Sequence, residues 1–217
     1  MTSVGFTIND FTVFNIDGFS NRMEAIYAQV RPKLLRISDS LAPELARKLH
    51  MEFFAHVAKH ARQRANPPAE TWCAWGPSPK GYKRYPYLAL CISAHGLHAR
   101  TVVKAEADHR SAMARAIEGH RSDLVKAFKG TGVALYEKWD CVAMPPEEPA
   151  SQAVWDTLLA SLSNKTGTVD VGFGWPLKAA LKLDTSELLD AYRELEPLYR
   201  VLRSVIAQRA TALESSA

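Results

Sequence analysis

No apolar run in this chain approaches the ~20 residues that a membrane helix requires. The opening MTSVGFTINDF has no basic stretch followed by an apolar one. Neither a membrane span nor a secretory leader is therefore expected, and no membrane partner. Cysteine is scarce: Cys73, Cys91 and Cys141 stand far apart in apolar surroundings with no CxxC pair. An odd, scattered set argues against a disulfide framework or zinc ribbon and fits reduced thiols in the cytoplasm. Signature loops are missing too. Gly76 is followed five residues on by Gly81, but Tyr82 stands where a phosphate-cradling GxxxxGK[ST] loop needs lysine. There is no GxGxxG after a strand, no GxSxG elbow and no HExxH. No cofactor is expected.

What is present is an ordinary globular composition, 47% hydrophobic and 23% charged. It suits one compact domain over residues 1–217 with a tail fraying after about 209. Net charge is +4 but unevenly spread. Residues 47–130 carry 15 Lys and Arg against 6 Asp and Glu, a local +9, while the rest carries 12 against 17, a local −5. The asymmetry directs the middle of the chain toward an anionic small molecule or nucleic acid. A solvated basic face would give the same composition.

Residues 11–16 have strand composition and end at Asp17-Gly18. Ser20 is placed to cap a helix whose stripe is Phe19, Met23, Ile26, Val30, Leu34, Ile37 and Leu41, with a kink at Pro32. Pro43 then suits the first turn of another helix, burying Leu45, Leu49, Phe53, Phe54 and Val57 and running to about Ala65 before Asn66-Pro67-Pro68. Strands are expected at 71–75, 87–93 and 97–105, the last two joined by a turn at His95-Gly96. Asp108 would cap a helix carrying Met113, Ile117, His120, Leu124 and Phe128, ending near Gly130. Short strands at 133–136 and 139–144, a connector at 145–149, a helix around Trp155 and a strand at 168–175 follow. Asp184 with Glu187 resembles a capping box for a long helix striped by Leu188, Tyr192, Leu195, Tyr199, Leu202 and Ile206, with Pro197 inside it. Strands in adjacent runs predict an α+β fold, a mixed, largely antiparallel sheet covered by helices.

The densest chemistry lies in 56–92. His56 and His60, four apart on the expected helix, would share a face, the spacing of a two-histidine metal pair. Without HExxH and with no fixed third ligand (His95 and His98 are the nearest candidates), partly buried hydrogen-bonded histidines explain the pair as well. Lys59, Arg62, Arg64, Lys80, Lys83 and Arg84 fall within 26 residues, with Glu70 the only acid among them, and Trp72, Trp75, Tyr82, Tyr85 and Tyr87 interleave them. Lysine and arginine hold phosphates, and aromatic rings stack on bases or sugars. Trp72 and Trp75 have opposite parity, so in a strand only one faces the core and the other is free for a pocket. The expected ligand-binding set is His56, Lys59, His60, Arg62, Trp72, Trp75, Lys80, Tyr82, Lys83, Arg84 and Tyr85. Two rivals stand beside anion binding. One is an enzyme with His56 or His60 as general base or metal ligand. The other is a protein-interaction module presenting the Leu188–Ile206 stripe. Cys91 with His95 or His98 is better read as core than as a thiol–imidazole pair.

Asp10-Phe11, Val13-Phe14, Asp17-Gly18, Arg22-Met23 and Pro32-Lys33 resemble the opening of the YktB-like family of bacterial proteins. His56-Val-Ala-Lys-His-Ala-Arg62, Asn66-Pro-Pro68, Thr71-Trp72 and Lys80-Gly81-Tyr82-Lys83 resemble its central signature, and Leu195-Glu-Pro-Leu-Tyr-Arg200 its last helix. The resemblance implies a compact α+β fold and carries no activity. The family tends to have His-Phe after the proline that follows the loop. Here Pro86 is followed by Tyr87-Leu88, so a metal site built on that histidine is not expected.

Overall fold

The computed structural model describes residues 3–61, 65–136 and 152–214, without the side chains of 152, 153 and 208–214. The strand expected at 139–144 and the connector 145–149 lie outside these residues.

The first element is helical, not extended. Helix α1 (Ile8–Thr12) runs into a 3₁₀ turn, Val13–Asn15. Phe11, Val13 and Phe14 favour strands, but Asp10 overrides them. Its carboxylate accepts from the Thr7 amide at 2.6 Å and the Thr7 hydroxyl at 2.9 Å, and pairs with Lys33 at 2.5 Å. A buried acid so held fixes the first turn of a helix.

Gly18, at φ 80°, starts helix α2 (Phe19–Ala25), in place of the expected cap Ser20. One turn of π-helix, Ile26–Val30, leads into helix α3 (Arg31–Leu49). The widened turn precedes Pro32, whose ring cannot accept the regular hydrogen-bond pattern. Pro43 lies inside α3 and starts no new helix. The helix stops at His50, left-handed at φ 52°.

The helix expected to reach Ala65 is therefore absent. Phe54–Val57 is an edge strand, β1, so His56 and His60 are not helical neighbours. Five more strands complete an antiparallel sheet: β2 (Glu70–Gly76), β3 (Tyr87–Ser93), β4 (Gly96–Val103), β5 (Ala134–Leu135) and β6 (Val169–Pro176). Their order is β1-β2-β3-β4-β6-β5, every pairing antiparallel. Between β4 and β5 lie helices α4 (Arg110–Gly119) and α5 (Arg121–Phe128). The expected single helix there is broken at His120, and its N-cap is His109, because Asp108 is engaged with Arg84. Helix α6 (Gln152–Ser163) precedes β6, and α7 (Leu177–Ala180) and α8 (Thr185–Glu214) follow it.

One face of the sheet carries Cys73, Trp75, Leu88, Leu90, Ile92, Leu97, Ala99 and Val103. Leu34, Leu41, Leu45 and Leu49 of α3 and Leu188, Tyr192, Leu195, Tyr199 and Leu202 of α8 pack there. Each such large side chain contributes ~1.5–3 kcal/mol on burial. The α8 stripe is thus core, which removes it as an exposed docking surface. The main strands β2, β3 and β4 are buried along their whole length, so the second face is buried as well.

Candidate functional site

The second face is unlike the first. Its apolar part is small: Ala58, Trp72, Ala74, Tyr87, Ala89, Cys91 and Val102, with Tyr82 packed against them. Register aligns His56, Ala74, Ala89, Arg100 and Gly172 in one row and Trp72, Cys91, His98 and Gly174 in the next. The small residues leave a low floor between large polar side chains.

At the β1 edge, the loop after β2 folds back over this floor. Gly76 permits it: a Cβ there would lie 2.9 Å from Tyr82 Cβ. Tyr82 meets His56 at 5.0 Å between ring centroids and Tyr87 at 4.7 Å, and its hydroxyl accepts from Trp72 Nε1 at 3.0 Å. Burial pushes the Tyr82 phenol up to about 12 against the opposing Trp72 bond, so it stays protonated at neutral pH. His56 Nε2 donates to the Ser78 carbonyl at 2.9 Å, which ties the loop to β1. His60, at φ 48°, sets Nε2 3.0 Å from Thr71 Oγ1 and its ring edge-on to Trp72 at 5.4 Å. The π-helical turn and α3 hold the backbone beside this rim. Arg31 Nη1 donates to the Ala58 carbonyl at 2.6 Å, and the Tyr27 hydroxyl to that of Lys59 at 2.9 Å.

The expected cations divide. Lys59 and Lys80 are exposed beside the rim and form no ion pair among the described residues. Lys83 lies 3.9 Å from Glu106, and Arg84 grips Asp108 through two bonds of 2.9 and 3.0 Å. Two of the loop's three cations are therefore met within the protein. Tyr85 closes the loop by donating its amide to the Tyr82 carbonyl at 3.0 Å. Trp72 and Trp75 point to opposite faces as their parity requires. Trp75 belongs to the helix-side core, where its Nε1 donates to the Ser38 carbonyl at 2.9 Å. Arg62 lies outside the described residues.

Behind Trp72 lies a buried polar network that no local pattern announced. Arg100 Nη1 stands 3.3 Å from Glu70 and 3.8 Å from Asp170, and Lys104 Nζ 3.9 Å from Asp170. The Arg100 guanidinium covers the Tyr136 ring at 4.7 Å, and Lys104 faces the Trp72 ring at 5.8 Å. His98 packs edge-on to Tyr136 at 5.2 Å. Glu70, His98, Arg100, Lys104 and Asp170 are all buried. Burial pushes the Asp170 carboxyl above its ordinary range, and the Lys104 and Arg100 charges hold it back. Buried ion networks of this kind add little to stability and concentrate at functional sites. The one sequence signal was period-2 polarity in β4: His98, Arg100 and, past Val102, Lys104 alternate with Leu97, Ala99, Thr101 and Val103. Among the described residues no group of three or more His, Cys, Asp or Glu is placed to hold a metal ion, and no helix is long and apolar enough to cross a membrane.

A family described as "Domain of unknown function (DUF1054)" matches residues 6–199. A UPF0637 protein of Lysinibacillus sphaericus is 32% identical over 206 residues, 93% of this chain and 97% of the relative. Relatives of the same UPF0637 name from Oceanobacillus iheyensis and Bacillus velezensis are 44% identical over 88 residues and 46% over 90, in each case 43% of the relative's length. The family match includes the residues that resemble the YktB-like signatures, save Arg200 at their end.

Proposed function

From a chain that belongs to the DUF1054 family, whose description assigns no activity, we propose a function on the site alone: it binds an anionic ligand at the rim formed by His56, Lys59, His60, Trp72, Lys80 and Tyr82. The observation that carries the proposal is the packing of Tyr82 onto His56 and Trp72 at one sheet edge, with exposed Lys59 and Lys80 flanking it. Aromatic rings next to exposed ammonium groups suit a phosphate joined to a flat or apolar body. Lys83, only loosely held by Glu106, is the next cation in reach, and Arg84 is the least available because Asp108 holds it.

Pyrophosphate, nucleotides and single-stranded RNA, titrated over a salt series, test this. With two lysines contributing, the slope of log K against log salt for a single strand is expected near about −1.4. Lys59→Ala combined with Lys80→Ala should weaken binding and flatten that slope. Absence of binding at low salt, or an unchanged slope in the double variant, would overturn the proposal.

A further inference from the structure

The hydrogen bonds at the rim fix which groups are left to face a ligand. An indole N–H only donates, so the Tyr82 oxygen is the acceptor in its bond to Trp72 Nε1. The Tyr82 O–H hydrogen is then directed elsewhere, and no acceptor for it is found among the described residues. A carbonyl only accepts, so His56 Nε2 must carry a proton to bond Ser78. In the neutral imidazole that leaves Nδ1 as an acceptor, again without a donor among the described residues. Both residues are half-buried, not sealed in the core. Their rings lie 5.0 Å apart. The high phenol pKa, about 12, keeps the Tyr82 hydrogen in place across the physiological range.

We propose that Tyr82 and His56 form a donor–acceptor pair that reads the edge of a nucleobase, so that the anionic ligand is a nucleotide, free or within a single strand. The inference rests on the anion-binding reading above. Every common base offers an acceptor next to an N–H donor on its pairing edge, and proteins read unpaired bases by that edge together with aromatic stacking. A bare phosphorylated sugar offers neither the edge nor the stacking face. The phosphate then falls to Lys59 and Lys80.

Calorimetric titration with the common nucleoside monophosphates, ribose phosphate and a short single-stranded RNA of mixed sequence tests the proposal. At least one nucleotide should bind about tenfold or more tightly than ribose phosphate, the equivalent of one good hydrogen-bonded contact. Tyr82→Phe keeps the ring and removes the hydroxyl. It should abolish that advantage and weaken nucleotide binding far more than ribose phosphate binding, whereas a collapsed loop would lower both to the same degree. RNA binding more tightly than any mononucleotide would identify the source as nucleic acid, and mononucleotides binding as tightly as RNA would identify it as the free nucleotide. If ribose phosphate binds as tightly as every nucleotide, the donor–acceptor pair is wrong and the anion-binding reading stands. If none of the probes binds, both fall.

Discussion

Replacing Asp170 by asparagine should change the pH dependence of stability in one direction. Burial raises the Asp170 carboxyl above the ordinary value of 3.8, Lys104 and Arg100 pull it back, and Glu70 adds to the rise. The two cations stand at 3.9 and 3.8 Å, too far for tight hydrogen bonds, which is why burial prevails. A raised folded-state value means that the native protein holds this proton more tightly than the unfolded chain. The stability from that proton is complete below 3.8 and is lost as pH rises through the folded-state value. Wild type should therefore lose stability relative to Asp170→Asn across that window, by at most ~1.4 kcal/mol per pH unit. Below the window both side chains are neutral and of similar shape, so the difference levels off. Urea unfolding of both proteins from about pH 4 to pH 8 reads it directly, since distant carboxylates cancel in the difference. If wild type instead gains on the variant as pH rises, the pairs with Arg100 and Lys104 outweigh burial, and the account of this network is refuted.

Two further substitutions probe the packing around the sheet. The Tyr192 hydroxyl is fully buried against Trp75 with no hydrogen-bond partner among the described residues. Tyr192→Phe should therefore be neutral or stabilising by up to ~1 kcal/mol, a rise of about 2–4 °C in Tm for a chain of this size, and a clear loss in a thermal melt would show a partner. A Cβ at Gly174 would meet Tyr136 Oη at 2.7 Å and His98 Cδ2 at 3.0 Å. Gly174→Ala should accordingly cost about 1–3 kcal/mol in urea unfolding by displacing Tyr136 from Arg100, and an unchanged midpoint would show that the ring shifts freely.

The parts of the fold legible in the sequence are those whose signals are local. β2 and β3 are largely apolar runs flanked by Pro and Gly, β4 follows the His95-Gly96 turn, and α8 carries a six-member stripe behind Asp184, whose side chain accepts from the Glu187 amide. The misread stretch at 53–57 shows the limit. Leu45, Leu49 and Phe53 continue a helical step, and nothing local distinguishes that from an edge strand. What decides is His50 turning left-handed and the pairing of Phe54–Val57 with β2, a partner some twenty residues away. At 8–15 a tertiary pair, Lys33 with Asp10, overturns strand propensity. The same division holds at the site. His56, His60, Trp72 and Tyr82 sit close together in sequence and meet in space. Glu70, Arg100 and Asp170 come from three strands spread over a hundred residues, so only the antiparallel register of β2, β3, β4 and β6 brings them together.

That division bears on how rim and network share the work. Arg100 and Lys104 face Glu70 and Asp170, two cations against two carboxylates, so the network's formal charge is zero while Asp170 is ionised. A neutral, buried cluster exerts little pull on an anion in solution. If the proposed anion binding holds, attraction at a distance falls to Lys59 and Lys80, and the network acts through contact. Its route to the surface runs from Asp170 through Lys104 to the Trp72 ring, and from Trp72 Nε1 to the Tyr82 oxygen. Holding Trp72 fixes the direction of its N–H, which fixes where the Tyr82 hydrogen points. On the proposed reading, the expensive buried charges support the direction of one hydroxyl toward the ligand. On that account a change at Asp170 acts on selectivity between bases more than on the salt dependence of binding, whereas a change at Lys59 or Lys80 does the reverse.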